Sequence, residues 1–179
     1  YSNGDSPMSS ILKVDTIQTT AGAAPTAGSL GFAAGAVLQT VIADTNSTIN
    51  TNNGSDTEVS TSLRASITPA STSNKILIFL TYHVVTNSGS THNAVFVKRS
   101  ADSGSSFSNL SNYLSGTGNE IHRNAHSSGE FGQHTQVILD SPSSTSSLMY
   151  SLFFRTNGSN LRINDNGGGT RIILQEISG

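Results

Sequence analysis

Apolar side chains recur at every second position in short runs along this chain, and clusters of Gly, Asn and Ser separate the runs. Glu58–Thr68 shows the pattern most clearly. Val59, Thr61, Leu63, Ala65 and Ile67 fall on one side, and Pro69 closes the run. A period of two marks a half-buried strand, because successive side chains of an extended backbone point to opposite faces. Val37–Thr45, Asn93–Lys98, Thr135–Leu139, Leu148–Thr156, Leu161–Ile163 and Arg171–Ile177 read as strands too. In Asn93–Lys98, Ala94, Phe96 and Lys98 oppose Val95 and Val97. In Arg171–Ile177, Ile173 and Gln175 oppose Ile172, Leu174 and Glu176. Lys75–Val85 is almost continuously apolar, which predicts a central strand buried on both faces.

Turn signals fall between these runs at Asn53-Gly54, Asn87–Ser90, Asp140-Ser141-Pro142, Asn157-Gly158 and Asn166–Gly169. The last is glycine-rich but lacks the lysine and the following helix of a phosphate loop, so a flexible hairpin loop is expected. Ala101–Gly129 is the least regular stretch, with Phe107, Leu110, Tyr113, Leu114 and Ile121 spaced along it. No segment keeps helical periodicity over three turns. The expected fold is all-β: an antiparallel, jelly-roll-like β-sandwich of about eight or nine strands over residues 36–179.

Residues 1–35 differ. Ser10–Gln18 carries Ile11, Leu12, Val14 and Ile17 in a weak strand pattern, and Thr19–Phe32 is rich in Ala, Gly and Thr around Pro25. Such a stretch has too little apolar surface for a core of its own. It is expected to form an extended N-terminal docking arm, with Ile11, Leu12, Val14 and Ile17 making its contacts.

Composition narrows the function classes. Apolar residues are 34% and charged residues 11% of the chain, against about 45–50% (a set that also counts Gly) and about 25% in ordinary domains. Neutral polar and β-branched residues fill the difference, which suits sheet surfaces and not helices. A net charge of −2 and a pI near 6.2 provide no basic field for nucleic acid or a membrane surface. The longest apolar run, Ile76–Leu80, is strand-sized, so no membrane insertion is expected. The absence of cysteine excludes disulfides and thiolate chemistry.

Candidate chemistry is sparse. His122 and His126 stand four apart, with His134 beyond them, but Gly116, Gly118 and Gly129 flank the pair and no glutamate lies between. Surface or subunit-contact histidines are the expected reading, and no metal or cofactor is expected. His83 ends the apolar run, and His92 sits in a polar turn. No nucleophile elbow occurs, and Asp15, Asp56, Glu58, Asp102, Glu120 and Glu130 all lie in polar stretches, unlike an acid pair in an apolar cleft. Asp102–Ser106 and Asn164–Asn166 could supply calcium oxygens, but ordinary side-chain-capped turns are expected there. The chain is not expected to be an enzyme.

Three passages add a resemblance. Ser10–Gln18 followed by Pro25–Gly28, then Ile67-Thr68-Pro69-Ala70-Ser71-Thr72-Ser73-Asn74-Lys75-Ile76-Leu77-Ile78, then Leu139–Pro142 with Ile172–Ile177, resemble virion structural proteins of tailed bacteriophages of marine and cyanobacterial hosts. The resemblance covers about half the chain in scattered pieces, and its motifs are compositional. It implies a sandwich on the surface of an extracellular phage particle, in a tail fibre or as capsid decoration, in contact with other virion proteins. It also implies a homotrimer, and Leu148, Tyr150, Leu152 and Phe154 are the expected interface residues. It supplies no catalytic residues. A receptor- or glycan-binding tip is the competing expectation, with Tyr113, His122, Arg123 and His126 as contacts to a host-surface glycan.

Overall fold

In the computed structural model the structure describes residues 33–86, 93–110, 122–124, 131–156 and 160–179. Twelve antiparallel strands are assigned among them. They are β1 (Val37–Thr45), β2 (Ile49–Thr51), β3 (Thr57–Glu58), β4 (Ala65–Ile67), β5 (Lys75–Thr86), β6 (Asn93–Ser100), β7 (Ser108–Asn109), β8 (His122–Asn124), β9 (Phe131–Asp140), β10 (Leu148–Thr156), β11 (Leu161–Ile163) and β12 (Thr170–Ile177). They form two packed sheets, so the chain is an antiparallel β-sandwich. The docking-arm residues Ile11, Leu12, Val14 and Ile17 lie outside the described residues.

In the first sheet, β5 is central. β9 pairs along one edge, from Ile76↔Asp140 to Val85↔Phe131. Along its other edge β12 pairs with residues 75–81 and β11 with residues 84–86. β1 then covers β12, and β2 covers β11. β11 and β12 therefore run end to end, as do β1 and β2, and the sheet is four strands wide. Residues 164–169 join two collinear strands, not the arms of the hairpin that their glycines suggested. The second sheet is built on β10, with β6 on one edge and β4 then β3 on the other. β7 and β8 extend β6.

Alternation sorts the side chains as period-two logic requires. Ile76, Ile78, Leu80, Tyr82 and Val84 of β5 face Val95, Val97, Leu148, Tyr150, Leu152 and Phe154 across the sandwich, and all are buried. This corrects the expected interface. Leu148, Tyr150, Leu152 and Phe154 are 0–2% exposed within one chain, so the opposite sheet already covers them. The alternate positions of β5, Leu77, Phe79, Thr81 and His83, are only half-buried. The strand is central but is not buried on both faces, because nothing among the described residues forms a third layer over it.

The run Glu58–Thr68 is not one strand. Between β3 and β4 a single 3-10 turn spans Thr61–Leu63, capped where the Ser60 hydroxyl accepts from the Ser62 N–H at 3.2 Å. The turn swings Thr61 outward and keeps Leu63 in the core. Arg64 then reaches back to Glu58 with two hydrogen bonds of 2.7 and 2.8 Å.

Two buried carboxylates, Asp140 and Glu176, are hydrogen-bonded inside the fold. Asp140 of β9 accepts from Arg99 at 2.6 Å and from the Tyr150 hydroxyl at 2.7 Å, joining the two sheets. Glu176, 1% exposed, accepts from the Ala70 N–H, Asn74 Nδ2 and Gln39 Nε2, which pins the turn before β5. On the outer face of the second sheet, Ala94, Phe96, Phe153 and Phe107 form a small second core. Lys98 and Arg155 lie over its rings and both reach Asp56.

The start of the described chain is tied to its last strand. Gly35 takes a left-handed conformation, φ +88°. Its N–H donates to Ser178 O at 2.8 Å, and the Ser178 hydroxyl donates to Ala33 O at 2.8 Å.

Candidate functional site: the outer face of the first sheet

Register places the outward side chains of β1, β12, β5 and β9 in straight cross-strand rows. One row is Ile42, Ile173, Phe79 and Val137. The next is Thr40, Gln175, Leu77 and Leu139, and the row on the other side is Asp44, Arg171, Thr81 and Thr135. Ile42 is 58% exposed, Val137 55% and Leu139 42%. The first row is thus apolar across all four strands, and the second is apolar across half of them. Neither holds a charge. A contiguous apolar band of this kind on a sheet face is the surface signature of a contact site.

A polar cleft of about 750 Å³ opens at one end of the band, lined by Asp44, Ser47, Thr81, Gln133, Thr170 and Arg171 among others. Its walls come from two neighbouring excursions: residues 46–48 between β1 and β2, and residues 164–169 between β11 and β12. Asn164 locks them together. It is fully buried and left-handed, φ +62°, a conformation asparagine tolerates better than most residues. Its Nδ2 donates to Thr45 O at 3.1 Å and Ser47 O at 3.2 Å. Its Oδ1 accepts from the Thr170 hydroxyl at 2.7 Å, and its carbonyl accepts from the Thr48 hydroxyl at 3.0 Å. Gly168 lies so close to His83 that a Cβ there would sit 2.7 Å from the imidazole, so glycine is required. Paired irregularities of this kind re-aim side chains at a sheet edge. Here they present the Asp44–Arg171 ion pair, 3.0 Å long and more than half exposed.

A carboxylate, a guanidinium, hydroxyls and a carboxamide converge in the cleft, but its described lining holds no histidine. Among the described residues no three His, Cys, Asp or Glu side chains come together as a metal site. His134 stacks on Tyr82 in the interior at 5.3 Å between ring centroids, and His83 lies on the opposite face. The Asp102 loop satisfies itself. The carboxylate accepts from the Ser100 hydroxyl, the Ser106 hydroxyl and the Ser106 N–H, and these bonds hold it well below the usual carboxylate range. Asp165 is paired with Arg162 at 2.8 Å.

Of the expected contact residues, Tyr113 and His126 lie outside the described residues. His122 and Arg123 belong to β8, whose backbone pairs with Val95 and Ala94 in the second sheet. The structure does not bring them to the cleft. Sequence reasoning missed both the band and the cleft. The band had a signal: apolar residues at the supposedly polar positions of four strands, Ile42, Phe79, Val137 and Ile173. The cleft had little, since its making depends on which strands lie end to end.

No family model and no curated protein matches the chain. Among solved structures it is similar to a chain in the structure of infectious bursal disease virus Gx strain, at 9% identity and a TM-score of 0.41, over 78% of this chain and 36% of that one. It is also similar to a chain in the structure of the Gt strain, at 11% identity and a TM-score of 0.38, over 80% of this chain and 38% of that one. The chain spans little more than a third of the length of these chains.

Proposed function

We propose that this protein is a structural component of a virion, a tail fibre or capsid decoration of a tailed bacteriophage. In this reading residues 1–35 dock on the particle and the sandwich is displayed outward. The observation that carries the reading is the uncharged apolar band across the first sheet, a surface suited to being covered in an assembly. The phage-like passages support it. Ile67–Ile78 runs from the last residue of β4 through the turn pinned by Glu176 into the start of β5, while Ile172–Ile177 lies within β12. β5 and β12 belong to the sheet that carries the band. Immunogold labelling of purified virions that encode the chain tests the reading. Label on tail or head is expected, and its absence from intact particles would overturn it.

A second reading, a glycan-binding tip, is favoured by the polar cleft, whose carboxylate, guanidinium and amide suit vicinal hydroxyls. Asp44→Asn combined with Arg171→Gln should then abolish adsorption of the isolated protein to host cells while leaving its attachment to particles intact.

A further inference from the structure

We infer that the apolar band is covered by the same band of a second copy of this chain, the two sheets packing face to face about a two-fold axis. This rests on reading the outer face as an assembly surface, and it names the occupant.

Three observations select a second copy. The large apolar side chains exposed among the described residues are Val37, Ile42, Val137 and Leu139, on two strands of this one sheet. No other described surface offers an apolar partner, so the surface that matches the band is the band itself. A patch that meets its own image forms an isologous contact, which closes at two copies. That differs from the three-fold assembly implied by the phage resemblance.

Charge is the second observation. The two central rows carry none. Asp44 and Arg171 neutralise each other at one end, and Lys75 stands at the other. Two like faces can therefore approach without like-charge repulsion.

Area is the third. Four strands about 4.8 Å apart and about eight residues of each, which take in the two central rows and the Asp44 and Lys75 rows that flank them, give a footprint of about 19 by 27 Å, or about 500 Å² per copy. Two copies bury about 1,000 Å² together, the lower bound for a specific interface. Association is therefore weak in dilute solution, and it strengthens when copies are held close on a particle.

Sedimentation equilibrium of the full chain, from micromolar to near-millimolar concentration, tests the inference. The mass should rise from one chain to two. Ile42→Lys with Val137→Lys should weaken pairing by about tenfold or more, equivalent to about 1.4 kcal/mol. Leu139→Glu, on the adjacent row, should do the same. All three positions are exposed, and circular dichroism should show unchanged strand content. Several results would overturn the inference: a single-chain mass throughout, a three-chain mass, or pairing that survives both variants. Pairing that appears only after deletion of residues 1–32 would overturn it as well, by making the arm the cover of the band. Labelled virions with a monomeric chain would sink this inference alone. A chain that pairs but never labels particles would sink the virion reading alone.

Discussion

Single side chains hold the irregular parts of this fold, and Asn164 holds most. Its carboxamide ties three backbone or hydroxyl groups of two excursions, in a buried site where water does not replace lost bonds. Asn164→Ala should cost about 2–4 kcal/mol in denaturant unfolding, because it orphans buried acceptors and places alanine at positive φ. Glu58 sets an acid limit. Burial pushes its carboxyl up, but the hydrogen bonds from Arg64 and Ser151 outweigh that, and the carboxyl sits below its ordinary value of 4.5. The charged form is thus favoured in the folded state. That stability is present above the ordinary value and is lost as pH falls through the lowered one. Glu58→Gln should be less stable than the parent at neutral pH, with the gap closing under acid, as read by urea midpoints at several pH values. Neither role was legible in the sequence. Asn164 sat in what read as an ordinary side-chain-capped turn, and Glu58 gains its partners only because the 3-10 turn brings Arg64 back beside it.

At the scale of elements, alternation proved a dependable guide wherever a strand packs against the opposite sheet. β1 and β10 match the runs read from the sequence, Val37–Thr45 and Leu148–Thr156. Alternation failed at Thr61, where a single helical turn keeps Val59, Leu63 and Ala65 in the core by another route. It also left the outer faces unassigned, since an apolar residue on an outward face looks the same in sequence as one in the core. β10 shows how this matters for assembly. Its Leu148, Tyr150, Leu152 and Phe154 were expected at a subunit interface, yet they fill the space under β5. Leu152→Ala should therefore destabilise the single chain by about 2–5 kcal/mol through a buried cavity. Pairing of the folded protein, followed by sedimentation, should be unchanged. A loss of pairing with no loss of stability would return these residues to an interface.

For the whole molecule, contact through a sheet face whose central rows are uncharged carries its own solution signature. Sulfate should strengthen the association, because excluded salts favour burial of apolar surface. Sodium chloride should leave it nearly unchanged, whereas an ion-paired contact would weaken as charges are screened. Light scattering in the two salts distinguishes them. The interior provides a separate signal. Tyr82 and Tyr150 are both fully buried, and the chain has no tryptophan to mask them. Burial pushes both phenols up, and the neighbouring Asp140 pushes Tyr150 further. In the open chain they ionise near pH 10, so the fold keeps them neutral beyond that point and loses stability as alkali rises through their raised values. The ultraviolet band of tyrosinate from these two rings should therefore appear together with loss of strand circular dichroism, and not before it. The protein carries a built-in optical gauge of whether its two sheets are still closed.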